Sequence, residues 1–305
     1  MSTGFPVRRA SLALTLVAST LLAACGLAPL PSVGGQAKVG ALAAKTPHTS
    51  PDGRRYGLIF DAQTPKVRWT PGDLNAGIPP KVDLRAKMSP IEDQGTMNAC
   101  TGFAITGLAE YRSRQEHRAT DLSPGFIYVW ELKIENRPGQ DEGAHIATGM
   151  QVLKDKGISP LERFPFLTAE EQKNADTVTS YLTKLPSLAV MQAAHAYAVP
   201  EVTAVQDLAA FKVAIAKGKP VVFGIGCYKS FESDAVKKTG VVPMPDQQTE
   251  PYVGGHAILA VGYDDSKQQV IFRNSYTAQW GDKGYGYLPY TYFKEGLVGD
   301  AWQAD

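Results

Sequence analysis

The sequence predicts an α+β fold in which a mainly helical subdomain faces a β-barrel-like, strand-rich one. Three observations predict it. Helix patterns and helix stop signals crowd the stretch from residue 100 to residue 216. Strand patterns take over after Pro220. The chain has 305 residues, 44% of them hydrophobic, enough for one large domain or two smaller halves.

The first element is an address. Arg8 and Arg9 precede an apolar run from Ala10 to Ala24 that is relieved only by Ser and Thr. That run is too short for a membrane-spanning helix, which needs about 20 residues, and reads as a secretory signal over residues 1–24. Leu22-Ala23-Ala24-Cys25 resembles the lipobox of bacterial lipoproteins, which implies acylation at Cys25 and a lipoprotein held on a membrane outside the cytoplasm. An ordinary signal peptide is the plainer alternative, and the Arg pair also raises the twin-arginine route. Residues 25–55 are rich in Gly, Ala, Pro, Ser and Thr and read as a flexible linker. Residues 56–78 form an N-terminal extension, and the main domain is expected over 79–305, divided near residue 190.

Within that domain, Phe103, Ala104, Leu108 and Tyr111 share one helical face after Cys100, although Gly102 and Gly107 weaken the pattern. A second helix is expected over residues 146–156, stopped by Gly157, and a third over 205–216, stopped by Gly218 and Pro220. Val221 to Ile225 reads as a buried strand. His256 to Tyr263 and Gln269 to Asn274 read as two more, joined by the polar turn Asp264-Asp265-Ser266-Lys267.

Composition excludes several functions. Lys and Arg number 31 against 30 Asp and Glu, so there is no charge excess with which to bind nucleic acid. Three cysteines, Cys25, Cys100 and Cys227, are too few for a disulfide scaffold. The five histidines are scattered without metal-ligand spacing, so neither a metal nor a cofactor is expected. Cys227, after an apolar strand, reads as a buried small hydrophobe, and His48, His117, His145 and His195 as structural residues.

Cys100 is different. A Cys at a helix start feels unpaired N–H groups and the positive end of the dipole, both of which favour a nucleophilic thiolate. The segment Gln94-Gly95, four residues, Cys100-Thr101-Gly102-Phe103-Ala104 resembles the nucleophile segment of papain-like cysteine peptidases. Val82-Asp83-Leu84-Arg85, Gly254-Gly255-His256-Ala257, Arg273-Asn274-Ser275 and Trp280-Gly281 match further blocks of that family in the same order. The resemblance spans about residues 79 to 295. It implies a cysteine-type peptidase with its cleft between the two subdomains. Cys100 would attack a peptide carbonyl to form a thioester, and His256 would be its ion-pair partner and acid–base. Asn274 would orient the imidazole, and Gln94 with the Cys100 N–H would hold the oxyanion. Gly143, Ala144 and Asn98 would line the substrate cleft. The implied partners are a peptide or protein substrate and a membrane lipid, and a monomer is expected.

The sequence also departs from the family. Met97 stands where a disulfide Cys is usual, Asn98-Ala99 where Gly-Ser is usual, Thr101 where Trp is usual, and Tyr276-Thr277 where Trp-Gly is usual. Those changes motivate an alternative, a catalytically degenerate domain that binds peptides or a surface partner. A cell-wall amidase using the same dyad is a more distant one. The family's long helical inhibitory prosegment is not visible, though a short inhibitory stretch within residues 56–80 is compatible with the sequence.

Overall fold

In the computed structural model, residues 48–69, 77–118 and 121–305 are described, together with Met1. They belong to one compact unit, Val39–Asp305, apart from Met1. The signal, Cys25 and most of the expected linker lie outside the described residues.

The helical half is built first. Helix α1 covers Cys100–Gln115 and α2 covers Pro124–Ile134, with α3 at Ile146–Asp155, α4 at Ala175–Thr183 and α5 at Leu188–His195. Ser123 caps α2 by accepting the Phe126 N–H at 3.1 Å, with Pro124 at the first helical position. Helix α1 is buried on nearly every side, which is why its apolar pattern is diffuse. The glycines that weaken that pattern are close contacts. Gly102 passes the Pro124 carbonyl, and Gly107 faces the Arg273 guanidinium.

The second half is a seven-stranded antiparallel sheet. Strand β1 is Lys81–Asp83, β2 Val202–Ala204, β3 Val221–Tyr228, β4 Tyr252–Asp264, β5 Gln269–Arg273, β6 Tyr285–Pro289 and β7 Val298–Ala304. Their order is β2-β7-β3-β4-β5-β6, with β1 added alongside β4. Strand β3 is buried along its whole length, as its unbroken apolar run requires. Helix α1 packs against β4, and so does helix α6 (Leu208–Ala216). The expected start of α6 at Val205 moves to Leu208, because the Asp207 side chain accepts the Ala210 N–H at 2.8 Å and caps it there.

Residues 48–55, expected in a linker, are packed against the domain. His48 Nε2 meets Glu232 Oε1 at 2.6 Å, and Lys237 Nζ meets Asp52 Oδ2 at 3.1 Å. Composition misled here because the stretch is held by polar partners far along the chain, which a local reading cannot supply.

Candidate active site

Four elements converge. Cys100 opens α1, where the first-turn N–H groups have no helical acceptor. His256 lies in the middle of β4, paired across to Ile225 of β3. Asn274 follows the last residue of β5. Leu259 pairs with Arg273, so residue 274 falls opposite Ile258, on the same face as His256 and one pleat away. Arg273 fixes that end, because its buried guanidinium donates to the Ser89 carbonyl at 2.5 Å and the Pro90 carbonyl at 2.6 Å.

The contacts set the proton inventory. Asn274 Oδ1 accepts the Ser275 N–H at 2.9 Å and lies 2.8 Å from His256 Nε2, so Nε2 is the protonated ring nitrogen. Nδ1 then carries the free lone pair and makes no hydrogen bond. The Cys100 sulfur accepts the Ala257 N–H at 3.4 Å, which places it beside the imidazole's own strand. Gln94 is held at its carbonyl by the Ser275 hydroxyl at 2.6 Å. Its amide N–H₂ donates to the Met97 carbonyl at 2.9 Å and to the Arg55 carbonyl at 3.3 Å. Tyr276 stacks on the imidazole with ring centroids 5.0 Å apart. Its hydroxyl is buried without a hydrogen-bond partner, as is the Asn274 amide nitrogen.

The chain's own segment around residues 54–60 fills this cleft. Leu58 N–H donates to the Gly255 carbonyl at 2.9 Å and Ile59 N–H to the Ala144 carbonyl at 3.0 Å. Ala144 N–H donates to the Gly57 carbonyl at 2.8 Å, a parallel pairing. Gly57 is forced, since a Cβ there would sit 1.9 Å from the Asn98 carbonyl oxygen. Gly143 is forced as well, with φ +86° and the Gly57 carbonyl 2.0 Å from where its Cβ would be. Leu58 and Phe60 enter a pocket walled by glycines. A Cβ on Gly224 would meet Leu58 at 2.3 Å, and one on Gly255 would meet the Phe60 Cβ at 2.6 Å. On the other side, Tyr56 sets its ring edge-on to His256 at 5.8 Å. Its hydroxyl donates to Glu232 at 3.2 Å, and Arg54 pairs with Asp93.

This burial reverses the expected chemistry of the thiol. Removal from water pushes the Cys100 thiol up to about 12, although the Ala257 and Gly57 N–H groups work against it. Burial likewise pushes His256 down to about 4, with the Asn274 bond opposing and the nearby Arg54 charge assisting. In the filled cleft the pair is therefore thiol and neutral imidazole, and the helix N-terminus does not outweigh desolvation. The plugging segment's own group beside the sulfur is the Gly57 N–H, which joins the Ala257 N–H as a donor and is not a group that a thiol attacks.

A family model described as papain family cysteine protease matches residues 78–295. The chain belongs to the papain family of cysteine proteases. Within that family it is 32% identical over 279 residues to an uncharacterised peptidase C1-like protein of Acanthamoeba polyphaga mimivirus, covering 83% of this chain and 84% of that one. It is 27% identical over 219 residues to Gallus gallus cathepsin K, covering 70% and 59% of the two chains. Among solved structures it is similar to xylellain, a cysteine protease from Xylella fastidiosa, with TM-score 0.69, 30% identity, and 86% and 98% of the two chains covered. A papain-family chain is a thiol peptidase, a hydrolase of peptides or proteins.

The structure brings Gln94, Cys100, His256 and Asn274 together and sets Gly143, Ala144 and the Asn98 backbone along the filled cleft. The Asn98 side chain turns away to the Asp141 carbonyl. Cys227 is buried and free, beside Gly254 on the neighbouring strand. Sequence reading missed Asp141 and Glu232. Both are single acids without a motif, and their contacts with Arg55 and with His48 and Tyr56 come from positions distant in the chain.

Proposed function

We propose that this papain-family peptidase acts outside the cytoplasm and is made latent. Cys100 attacks the substrate carbonyl and forms a thioester, and the oxyanion is held by the Gln94 amide and the Cys100 N–H. His256 Nδ1 takes the thiol proton, returns it to the leaving amine and then activates the hydrolytic water. Asn274 keeps the imidazole oriented, and Tyr276 stacks on it in the place of the usual Trp. Residues 48–69 are the latency element. A monomeric enzyme on a lipid at Cys25 would hold this domain clear of a membrane by the preceding low-complexity stretch.

The observation that carries the reading is the free Nδ1 lone pair of His256 in the same buried pocket as the Cys100 sulfur, with Asn274 and Gln94 positioned around it. All four chemical groups are intact, which speaks against the degenerate alternative. The test is hydrolysis of a fluorogenic peptide by the full chain opened with Gly57→Val, alongside the same chain carrying Cys100→Ala. Turnover should fall at least about a thousandfold in the second, with thermal unfolding unchanged between the two. Equal turnover would refute the nucleophile. Mass spectrometry of the exported chain checks the anchor, with a diacylglyceryl mass on Cys25 expected and an unmodified thiol overturning it.

A further inference from the structure

Beside the catalytic pair, Asn274 Nδ2 and Glu92 Oε2 are both buried and make no hydrogen bond among the described residues. Asn274 is 3% exposed, and its Oδ1 already meets two donors, the Ser275 N–H at 2.9 Å and His256 Nε2 at 2.8 Å. Flipping the amide would set Nδ2 against both donors, so Nδ2 points away from them. Glu92 Oε2 stands 3.7 Å from Arg273 Nη2, too far for a hydrogen bond, and that nitrogen donates instead to the Pro90 carbonyl at 2.6 Å.

The two side chains share one pocket. Glu92, Asn274, Arg273, Ala257 and Phe103 line a space between α1, β4 and β5 with room for the centre of a single water, about 10 Å³. Backbone pairing holds its walls in register. The Gln94 N–H donates to the Ser275 carbonyl at 3.0 Å and the Thr277 N–H to the Glu92 carbonyl at 3.1 Å. The segment carrying Gln94 is thus joined to the segment carrying Asn274. Gln94 also bonds across directly, through the Ser275 hydroxyl, whereas Glu92 and Asn274 face one space without a bond between them. An amide N–H and a carboxyl oxygen offer a water one hydrogen to accept and one lone pair to donate to. Burial and the Glu110 charge push the Glu92 carboxyl up against the opposing Arg273 charge, with Asp121 adding to the rise. Ionised or protonated, the carboxyl keeps a lone pair for that water.

We infer that one water occupies this pocket, accepting from Asn274 Nδ2 and donating to Glu92 Oε2, and that Glu92 is thereby a positioning residue for the Asn274–His256 pair. The bridge fixes the plane of the Asn274 amide, so that Oδ1 stays on Nε2 when the imidazole takes up its proton at Nδ1. Its effect on turnover rests on the peptidase reading above.

A crystal structure of the full chain reads the site directly. An ordered water should lie within about 3.2 Å of both atoms. It should persist in Glu92→Gln, which keeps an oxygen, and vanish in Glu92→Met, which has the same length and none. Glu92→Leu replaces the Met variant should that one not fold. No water between the two atoms in the wild-type chain overturns the proposal by itself. Turnover is compared in the full chain opened with Gly57→Val, or with Leu58→Ser if the first does not fold. Glu92→Met should lower kcat by about 5- to 10-fold, the worth of one hydrogen bond, with KM within about 2-fold. The alkaline limb of its pH profile, where the imidazolium loses its proton, should fall by about 0.5–1 unit, which a loss of folding stability alone would not produce. Glu92→Gln should stay within about 3-fold of the parent, with that limb in place. A Gln variant as impaired as the Met variant, or a limb that does not move in the Met variant, would overturn the positioning role. A bridging water in a chain that hydrolyses no peptide leaves the site standing and refutes the peptidase reading. Hydrolysis by a chain without the water has the opposite meaning.

Discussion

The two ends of the cleft are closed by different physics. Residues 57–60 are held by backbone hydrogen bonds to Ala144 and Gly255 and by two apolar side chains in a glycine-walled pocket. Residues 48–56 are held by side-chain hydrogen bonds and ion pairs: His48 and Tyr56 on Glu232, Asp52 on Lys237, Arg54 on Asp93 and Arg55 on Asp141. Screening by salt weakens partly exposed ion pairs and leaves apolar burial in place. One end is therefore a fixed wedge, and the other is a clasp that solution conditions can loosen.

The largest break in that contrast should come at the wedge. A side chain at position 57 must push the Asn98 backbone aside, so Gly57→Val should expel the segment and raise peptide hydrolysis by orders of magnitude over the full wild-type chain. Leu58→Ala should do so less completely, removing about 2–5 kcal/mol of buried contact. Hydrogen exchange at the Ile59 and Ala144 amides reads both, and unchanged protection in Gly57→Val would show that the segment does not hold the cleft shut.

A smaller effect follows from pH, and its sign is fixed by the two reacting groups. His256 is held below its ordinary 6.5, at about 4, so closure favours its neutral form and loses stability as pH falls from 6.5 toward 4. Cys100 is held above its ordinary 9.0, at about 12, so closure favours the thiol and loses stability as pH rises from 9 toward 12. Each contributes at most roughly 3–4 kcal/mol. Amide protection of Leu58, corrected for intrinsic exchange, should be greatest between about pH 6.5 and 9. A flat profile from pH 4 to 9 would rule out His256 as a contributor.

The smallest effect belongs to the clasp. Arg54→Ala removes a partly exposed pair with Asp93 and a cation–π contact with Tyr276, each worth about 1 kcal/mol or less. It should loosen residues 48–56 with little change at Leu58, and high salt should reproduce it in the wild type. Equal loosening at both ends would show that the closure is a single cooperative unit.

Much of the site was legible because its residues sit in local motifs. Gln94, Cys100, His256 and Asn274 each stand in a short block with its own glycines and aromatics, and the turn at Asp264–Lys267 foretold the hairpin that joins His256 to Asn274. The strands after Pro220 were legible for a similar reason: an unbroken apolar run has few uses other than a buried strand. Residues 48–55 were illegible as a packed segment, because polar and small residues order only when partners arrive from elsewhere, here Glu232, Lys237, Asp93 and Asp141. The protonation of the pair was misread as well, since helix position favours a thiolate but the segment over it removes the water that would solvate one.

What the chain's order of residues determined alone was the chemistry available: a thiol at a helix start, an imidazole on a strand, and two carboxamides at fixed spacings. Those depend on neighbours within a few residues, where period, caps and turns act. The tertiary structure decided whether that chemistry is switched on. Desolvation and counter-charge depend on what lies within a few ångströms in space, and here that is a segment some forty residues before the nucleophile.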